Sequence, residues 1–284
     1  MLITMRSTAE FDAFGPWIDE VTDVDGLPRL YRDSGLDPRA HRLVLKVPRD
    51  IERRNANPHM HLYDYVIAVG DEILTVLIRH EDTYGTARIP FDRIAAIRDG
   101  VRLLNGQLTI HTLDGPALTI PYNGSAGAPV RDLIRVLREV YLPAAPPGPA
   151  DPYRVDPHVG PEDIGLLTDY RRLIDREPGM RLLNVSYRQH LRHRMRLVAM
   201  PASIIVGDDR EWQIIHRRDW FTGPGDDFSL ARTVLPRARI GNLWARPHER
   251  YQHVHVITVE SGATTLEIPV VPGPFSEALS PSAR

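Results

Sequence analysis

A pair of histidines near the C-terminal end of the sequence has the spacing with which some metal sites begin. His253 and His255 stand one residue apart in YQHVHVITVE, residues 251–260, and Glu260 follows. Imidazole and carboxylate groups are common metal ligands. In a regular strand, however, Glu260 points away from the face that carries both histidines, because side chains alternate between faces. We therefore interpret the pair as the polar face of a strand and expect no metal and no other cofactor.

A second pair, His59 and His61, lies in PHMHLYDY, residues 58–65. Met60 and Leu62 alternate with these histidines, which predicts another half-buried strand. The alternative for both pairs is a metal-dependent, cupin-like β-barrel enzyme that uses a His-x-His pair.

Arginines form two clusters that could bind anions. A guanidinium group can donate two parallel hydrogen bonds to a carboxylate or a phosphate. In an extended segment, the arginines of the second cluster share one face. The alternative is that these side chains are solvated or pair with the protein's own acids. The expected binding residues are Arg49, Arg53 and Arg54 in the first cluster, and Arg188, Arg192, Arg194 and Arg196 in the second.

Composition and motifs argue against most other functions. The formal net charge of −2 and the lack of aromatics among the arginines disfavour nucleic acid as a partner. The chain has no cysteine, so thiolate catalysis and disulfides are excluded. It contains neither a phosphate-binding Gly-x-x-x-x-Gly-Lys-Ser/Thr loop nor a Gly-x-Ser-x-Gly nucleophile motif. These observations predict a protein without catalytic activity.

The elements that would position these residues follow an internal repeat. Four landmarks recur in the same order, which predicts a repeated unit. The best pair aligns without gaps at an offset of 146 residues. The pairs are 45–54 with 183–194, 66–72 with 203–209, 89–97 with 235–243, and 107–122 with 253–270.

The landmarks have the alternating pattern of strands, and two other segments have the pattern of helices. Asp114-Gly115 predicts a hairpin turn between two such strands. Residues 129–142 carry an apolar stripe at helical spacing, and a second helix is predicted after Pro161. The predicted organisation is an acidic segment that packs on the first unit, 1–40; a first unit, 41–142; a Pro-rich linker and helix, 143–180; a second unit, 181–271; and a tail, 272–284.

The sequence resembles the bacterial pleckstrin-homology-like family, here as a tandem pair. The residues that carry the resemblance are VIAVGDEILTVLIRH, RIPFDRIAAIRDG, LLNGQLTIHTLDGPALTIPYN and PVRDLIRVLREVYL in the first unit. The resemblance covers residues 41–142 well and 181–271 less fully. It implies a mostly β fold of two bent antiparallel sheets or partly open barrels, the first capped by a C-terminal helix.

The same resemblance implies binding or scaffolding without catalysis. Family members that bind phosphoinositides use a first hairpin loop rich in Lys and Arg. The turns at Gly70-Asp71-Glu72 and Gly207-Asp208-Asp209 are acidic here, which argues against that route.

The sequence thus predicts a non-enzymatic recognition or scaffolding protein. The expected partner is a protein, with a phosphate-bearing ligand as the alternative; peripheral binding to anionic lipid through the arginines is a further alternative. No apolar run is long enough to cross a bilayer and no secretory signal is evident, so a cytoplasmic location is expected.

Overall fold

Antiparallel strands dominate the computed structural model, so the prediction of a mostly β fold with a few helices is confirmed. The structure describes residues 7–142, 155–193, 196–223 and 227–280. Within these ranges the strands form four antiparallel sheets, and none of the four closes on itself.

The strands and helices are numbered along the chain. The first half contains α1 (Ala9–Ala13), β1 (Asp19–Glu20), β2 (Leu43–Pro48), β3 (Tyr63–Val69), β4 (Ile73–His80), β5 (Thr83–Pro90), β6 (Ile94–Arg102), β7 (Asn105–Thr112), β8 (Leu118–Asn123) and α2 (Gly127–Tyr141). The second half contains α3 (Ile164–Arg176), β9 (Arg181–Ser186), β10 (Gln189–His193), β11 (Arg196–Met200), β12 (Ser203–Gly207), β13 (Glu211–His216), β14 (Leu230–Pro236), β15 (Asn242–Pro247), β16 (His255–Ser261), β17 (Thr264–Val270) and α4 (Pro274–Ala278).

The described residues divide into two compact units that do not follow chain order. The first unit takes in the chain up to Arg93 together with residues 104–106 and 120–141. The second takes in residues 94–103 and 107–119 and the chain from Leu142 onward. The unit boundaries predicted from the sequence remain a prediction.

The first unit is built on a five-stranded sheet with the order β1-β2-β3-β4-β5. The N-terminal segment packs on one face of this sheet, where Phe14 and Tyr31 join a buried apolar cluster with Val66 and Leu77. The Tyr31 hydroxyl donates to the backbone carbonyl of Asp64 over 2.9 Å. Helix α2 buries the apolar stripe that its sequence predicts and contacts β2.

The second unit contains most of a seven-stranded sheet with the order β8-β7-β6-β14-β13-β12-β9. The central pair joins β6 to β14, with Val101 opposite Leu230 and Ile97 opposite Val234. Helix α3 covers β12 and β13 with its apolar side. A separate sheet, β15-β16-β17, lies in the same unit, and the short helix α4 places Phe275 against Trp212.

The two halves of the chain show the same succession of elements. Strands β2 to β5, a 3-10 turn at Phe91–Arg93, strands β6 to β8 and helix α2 follow one another in the first half. Strands β9 and β12 to β14, a 3-10 turn at Arg237–Arg239, strands β15 to β17 and helix α4 follow in the second. The hairpin β10–β11 is an insertion between β9 and β12. Among the described helices, none has the length and apolar character needed to cross a bilayer.

Three local predictions were wrong, and the first is the strand predicted for residues 251–260: residues 251–254 form a turn, so His253 lies outside β16, which begins at His255. Residues 58–62 form a turn and an extended link, and β3 begins only at Tyr63, because Asn57 closes a turn with the backbone N–H groups of His59 and Met60. The segment that carries the second arginine cluster is not one extended strand: β10 ends at His193 and β11 returns from Arg196, its partner in the hairpin.

Candidate functional site

A cleft opens at one end of the five-stranded sheet of the first unit. It lies between the β2–β3 connection, residues 49–62, and the two-residue turn between β4 and β5. Its volume is about 470 Å³. The residues that line it are Arg49, Asn57, His59, Met60, His61, Arg79, Glu81 and Asp82.

Local backbone geometry brings these side chains to one place. The Asn57 turn directs the chain back toward the sheet, so that His59 and His61 follow it closely. On the other side, Glu81 has a φ of 57°, which is the left-handed conformation that a tight two-residue hairpin turn requires. The turn therefore places Arg79 and Asp82 beside the β2–β3 connection.

A single carboxylate orients both arginines of the cleft. Asp64 Oδ1 accepts a hydrogen bond from Arg79 Nε over 2.7 Å and lies 3.8 Å from Arg49 Nε. Arg49 Nη1 also donates to the carbonyl of His61, and Arg79 Nη1 to the carbonyl of Glu81. Because a guanidinium carries five N–H donors, each arginine keeps donors beyond these interactions for a ligand.

His61 has an unsatisfied polar atom in this cleft. Its Nδ1 is buried and has no hydrogen-bond partner among the described residues. Its Nε2 lies 3.7 Å from Asp82 Oδ1, which is too long for a hydrogen bond. A buried polar atom without a partner is destabilising by about 1–3 kcal/mol, and a ligand atom would recover that free energy if the His61 ring turned Nδ1 toward the cleft.

The other two arginines of the first cluster do not line the cleft. Arg53 donates to the carbonyl of Phe14 and lies over the Phe11 ring, 4.6 Å from its centroid. Arg54 pairs with Glu52 on the surface. Arg53 therefore ties the N-terminal segment to the sheet, and Arg54 is a solvated ion pair.

Arg188, in the second cluster, belongs to a buried ionic network. Its guanidinium makes two hydrogen bonds, of 2.9 and 2.8 Å, to the carboxylate of Asp163, which is fully buried. Arg217 reaches the same carboxylate over 3.1 Å, and the Ala202 N–H donates to it. Burial alone would raise the pKa of Asp163, but the hydrogen bonds from Arg188 and Ala202 and the two positive charges outweigh it, and the pKa lies below its usual value.

The remaining members of the second cluster lie on the β10–β11 hairpin. Arg192 is exposed, pairs across the hairpin with Leu197, and shares its face of β10 with His190. Arg194 lies outside the described residues, as does the side chain of Arg196.

The C-terminal histidine pair also lines a cavity, of about 450 Å³. His253 has a φ of 62° and precedes the strand, which begins at His255. Val254, between them, is buried although it lies in the turn before the strand. Glu260 accepts a hydrogen bond from Asn242 over 2.9 Å. Over the described ranges, no group of three His, Asp or Glu side chains is placed to hold a metal ion.

Sequence reasoning missed three of the residues that define these sites. Arg79 and Asp64 lie in strands and reach the cleft only because β3 and β4 are neighbours. Asp163 follows Pro161, after which the sequence predicts a helix. No local feature of the sequence indicates that two distant arginines contact its carboxylate. The order of strands in the repeat was the one signal that could have placed Arg79 near Arg49.

Comparisons with known proteins give this chain no family: no family model matches it, and no curated protein is significantly similar to it.

Proposed function

We propose that this is a non-enzymatic recognition protein, and that the cleft of the first unit binds a carboxylate or phosphate group carried by a partner protein. The observation that carries the proposal is a cleft lined by two arginines and by His61, whose Nδ1 is buried and has no partner among the described residues. The resemblance of the sequence to tandem pleckstrin-homology-like proteins supports a binding role without catalysis.

The charge of the cleft selects among anionic ligands. Arg49 and Arg79 supply two positive charges, and Asp64 beneath them neutralises part of that field. Glu81 and Asp82 at the rim are exposed, and the side chain of Asp82 is 96% accessible, so water and salt screen their charges. The two arginines and Asp64 leave one net positive charge inside the cleft, which favours a single carboxylate or phosphate over a polyphosphorylated headgroup.

The position of the cleft also bears on the family resemblance. The first long strand of the sheet is β2, so the first connection is residues 49–62 rather than the acidic turn at Gly70-Asp71-Glu72. That connection carries the whole first arginine cluster. Under the resemblance stated above, the family's usual binding loop would correspond to the part of the chain that lines the cleft.

The test is an NMR titration of the full chain with O-phosphoserine and, separately, with acetate. The imidazole resonances of His59 and His61 are followed, because both rings line the cleft. We expect saturable shifts in the wild type, weakened at least tenfold in Arg49→Gln and Arg79→Gln. The matched control is Arg54→Gln, from the same connection but outside the cleft, which should bind like the wild type.

Three results would count against the proposal. The absence of a saturable shift with either anion would remove the anion site. Equal loss of binding in Arg54→Gln and Arg49→Gln would mean that only the general charge of the loop matters. A chemical change in either added compound would contradict the non-enzymatic assignment.

A further inference from the structure

Strand β5 leaves one edge of the five-stranded sheet open. It is the last strand in the order β1-β2-β3-β4-β5, and it pairs with β4 along its whole length on the opposite edge. The two strands join through a two-residue turn with His80 opposite Thr83. In such hairpins the two residues next to the turn form backbone hydrogen bonds with each other. Farther along, opposed residues that bond each other alternate with opposed residues that do not. Tyr84, Thr86 and Arg88 therefore direct their backbone N–H and C=O groups away from β4.

In the second half of the chain the corresponding edge is occupied. The repeat offset of 146 residues relates β5 to β14. The residues that correspond to the three outward-facing residues of β5 are Leu230, Arg232 and Val234. All three pair with β6, opposite Val101, Asp99 and Ile97. No described backbone group bonds the outward side of β5 in this way.

The 3-10 turn Arg29–Ser34 packs near β5 and sets Tyr31 against the Tyr84 ring, but the strand itself lacks most features that protect an edge. Its pairing with β4 shows no bulge, it carries no lysine, and its one proline, Pro90, stands at its end. Thr86 and Arg88 are exposed. Eight residues of straight, nearly uncharged edge form a template for another strand.

We infer that β5 pairs antiparallel with β5 of a second copy of this chain, about a two-fold axis at Thr86. This inference is independent of the proposed cleft function. It rests on self-complementarity: with Thr86 opposite Thr86, Tyr84 of each copy lies opposite Arg88 of the other. Threonine pairs and arginine–aromatic pairs are both favourable across strands, and no like charges oppose each other.

Other two-fold registers are worse. An axis at Arg88 would place two guanidinium groups opposite each other and set Thr86 against Pro90, which has no N–H to donate. An axis at Tyr84 would set Thr86 against Asp82, in the turn rather than in the strand. An axis at Gly85 would set Arg88 against Asp82 in the turn, and an axis at Ala87 would set Tyr84 against Pro90, so each leaves one of the three outward-facing residues without a full strand partner. Thr86 is the one centre that uses all three outward-facing residues of both copies.

The first experiment measures the mass of the full chain in solution by light scattering and sedimentation equilibrium. Concentrations should run from about 10 μM to about 1 mM, because a single strand pair gives weak association. We expect a concentration-dependent dimer. Thr86→Pro removes an outward N–H without touching the ladder to β4 and should give a monomer, whereas Thr86→Val keeps the N–H and should still dimerise.

A disulfide test locates the axis even if the proline variant does not fold. The chain contains no cysteine, so Thr86→Cys introduces the only thiol. Directly opposed residues have Cα atoms about 5.5 Å apart, which a disulfide can bridge. Arg88→Cys is the matched control, because its two copies would stand about 13 Å apart along the strands. Mild oxidation should therefore link Thr86→Cys chains and leave Arg88→Cys chains unlinked.

The outcomes are decisive in both directions. A wild-type chain that stays monomeric up to about 1 mM overturns the inference. So does a dimer that persists in folded Thr86→Pro, or one in which Arg88→Cys links as readily as Thr86→Cys, because that dimer would use another surface or register.

Discussion

The two arginine-bearing connections occupy corresponding places in the two halves of the chain, yet the structure uses their charges differently. In the first unit, Arg49 shares the half-exposed carboxylate of Asp64 with Arg79 at the wall of an open cleft. In the second, Arg188 shares the fully buried carboxylate of Asp163 with Arg217. The same residue types in the same connection thus serve a candidate binding site in one place and folding stability in the other. The difference lies in the burial of the acid rather than in the arginines.

The largest expected effect is that of Asp163→Asn. Neutralising Asp163 leaves two guanidinium groups, 10% and 5% accessible, without their counter-ion. Removing one partner of a buried ion pair typically lowers the free energy of unfolding by about 3–5 kcal/mol. Denaturant unfolding of the full chain measures this loss of unfolding free energy. Asp156→Asn, which breaks the exposed pair with Arg171 on the same helix, should lower it by less than about 1 kcal/mol. Equal losses of stability in Asp163→Asn and Asp156→Asn would mean that burial of the carboxylate does not decide its contribution.

The second prediction concerns pH and the residue next to Arg217. His216 is buried, stacks on Trp220 with ring centroids 4.1 Å apart, and contacts the Thr233 hydroxyl over 2.9 Å. Burial, and then the charge of Arg98, lower its pKa to about 3. In the unfolded chain the value is about 6.5. The folded state therefore binds fewer protons, and stability falls as pH decreases from about 6.5 toward about 3.

The expected loss is about 1.4 kcal/mol for each pH unit within that window. Unfolding free energies at pH 7.5, 6.5 and 5.5 should show a small first step and a larger second step. His216→Gln should make the profile less steep, leaving the contributions of His111 and His248, whose pKa values burial also lowers, and the control His190→Gln should keep the wild-type profile. A profile that is already flat in the wild type would show that His216 is not a neutral buried group.

A smaller effect is expected from Asp64→Asn in the first unit. The Asp64 side chain is 30% accessible and its arginine partners 24% and 19%, so water solvates what remains after the change. We expect the free energy of unfolding to fall by about 1 kcal/mol. Measuring it beside Asp163→Asn compares the two carboxylates directly. A loss as large as that of Asp163→Asn would mean that the cleft is a structural ionic core.

The smallest effect should come from Arg192→Glu. Arg192 is exposed on β10, and the described structure gives its side chain no ion pair. The free energy of unfolding should stay within about 0.5 kcal/mol of the wild type in thermal or denaturant unfolding. A larger loss would mean that the Arg192 side chain makes a stabilising contact. The arginine-bearing connection of the second half would then contribute to stability beyond Arg188.

The sequence predicted elements better than it predicted their partners. The alternation of residues 107–122 and the stripe of α2 are set by short-range periodicity, and both are present in the fold. The turn at Asn57 was missed because the alternation of His59, Met60 and His61 imitates a strand. The β10–β11 hairpin was missed because the charge pattern of 188–196 suits an extended segment equally well.

Sites were harder to predict than elements, because each depends on contacts between distant residues. Arg49 and Arg79 lie 30 positions apart in the chain and meet through strand order. Asp163 and Arg217 are 54 positions apart. Nothing local at Asp163 distinguishes a buried ion pair from an ordinary acid in the first turn of a helix.

The pairing of β6 with β14 has a consequence for the synthesis of the chain on the ribosome. Val101 leaves the ribosome about 130 residues before Leu230, its partner across the ladder. At roughly 5–20 residues per second, the edge of β6 that later pairs with β14 waits on the order of ten seconds without its partner. A nascent chain stalled within the linker, before β14 exists, should therefore engage chaperones and aggregate more readily than the finished protein.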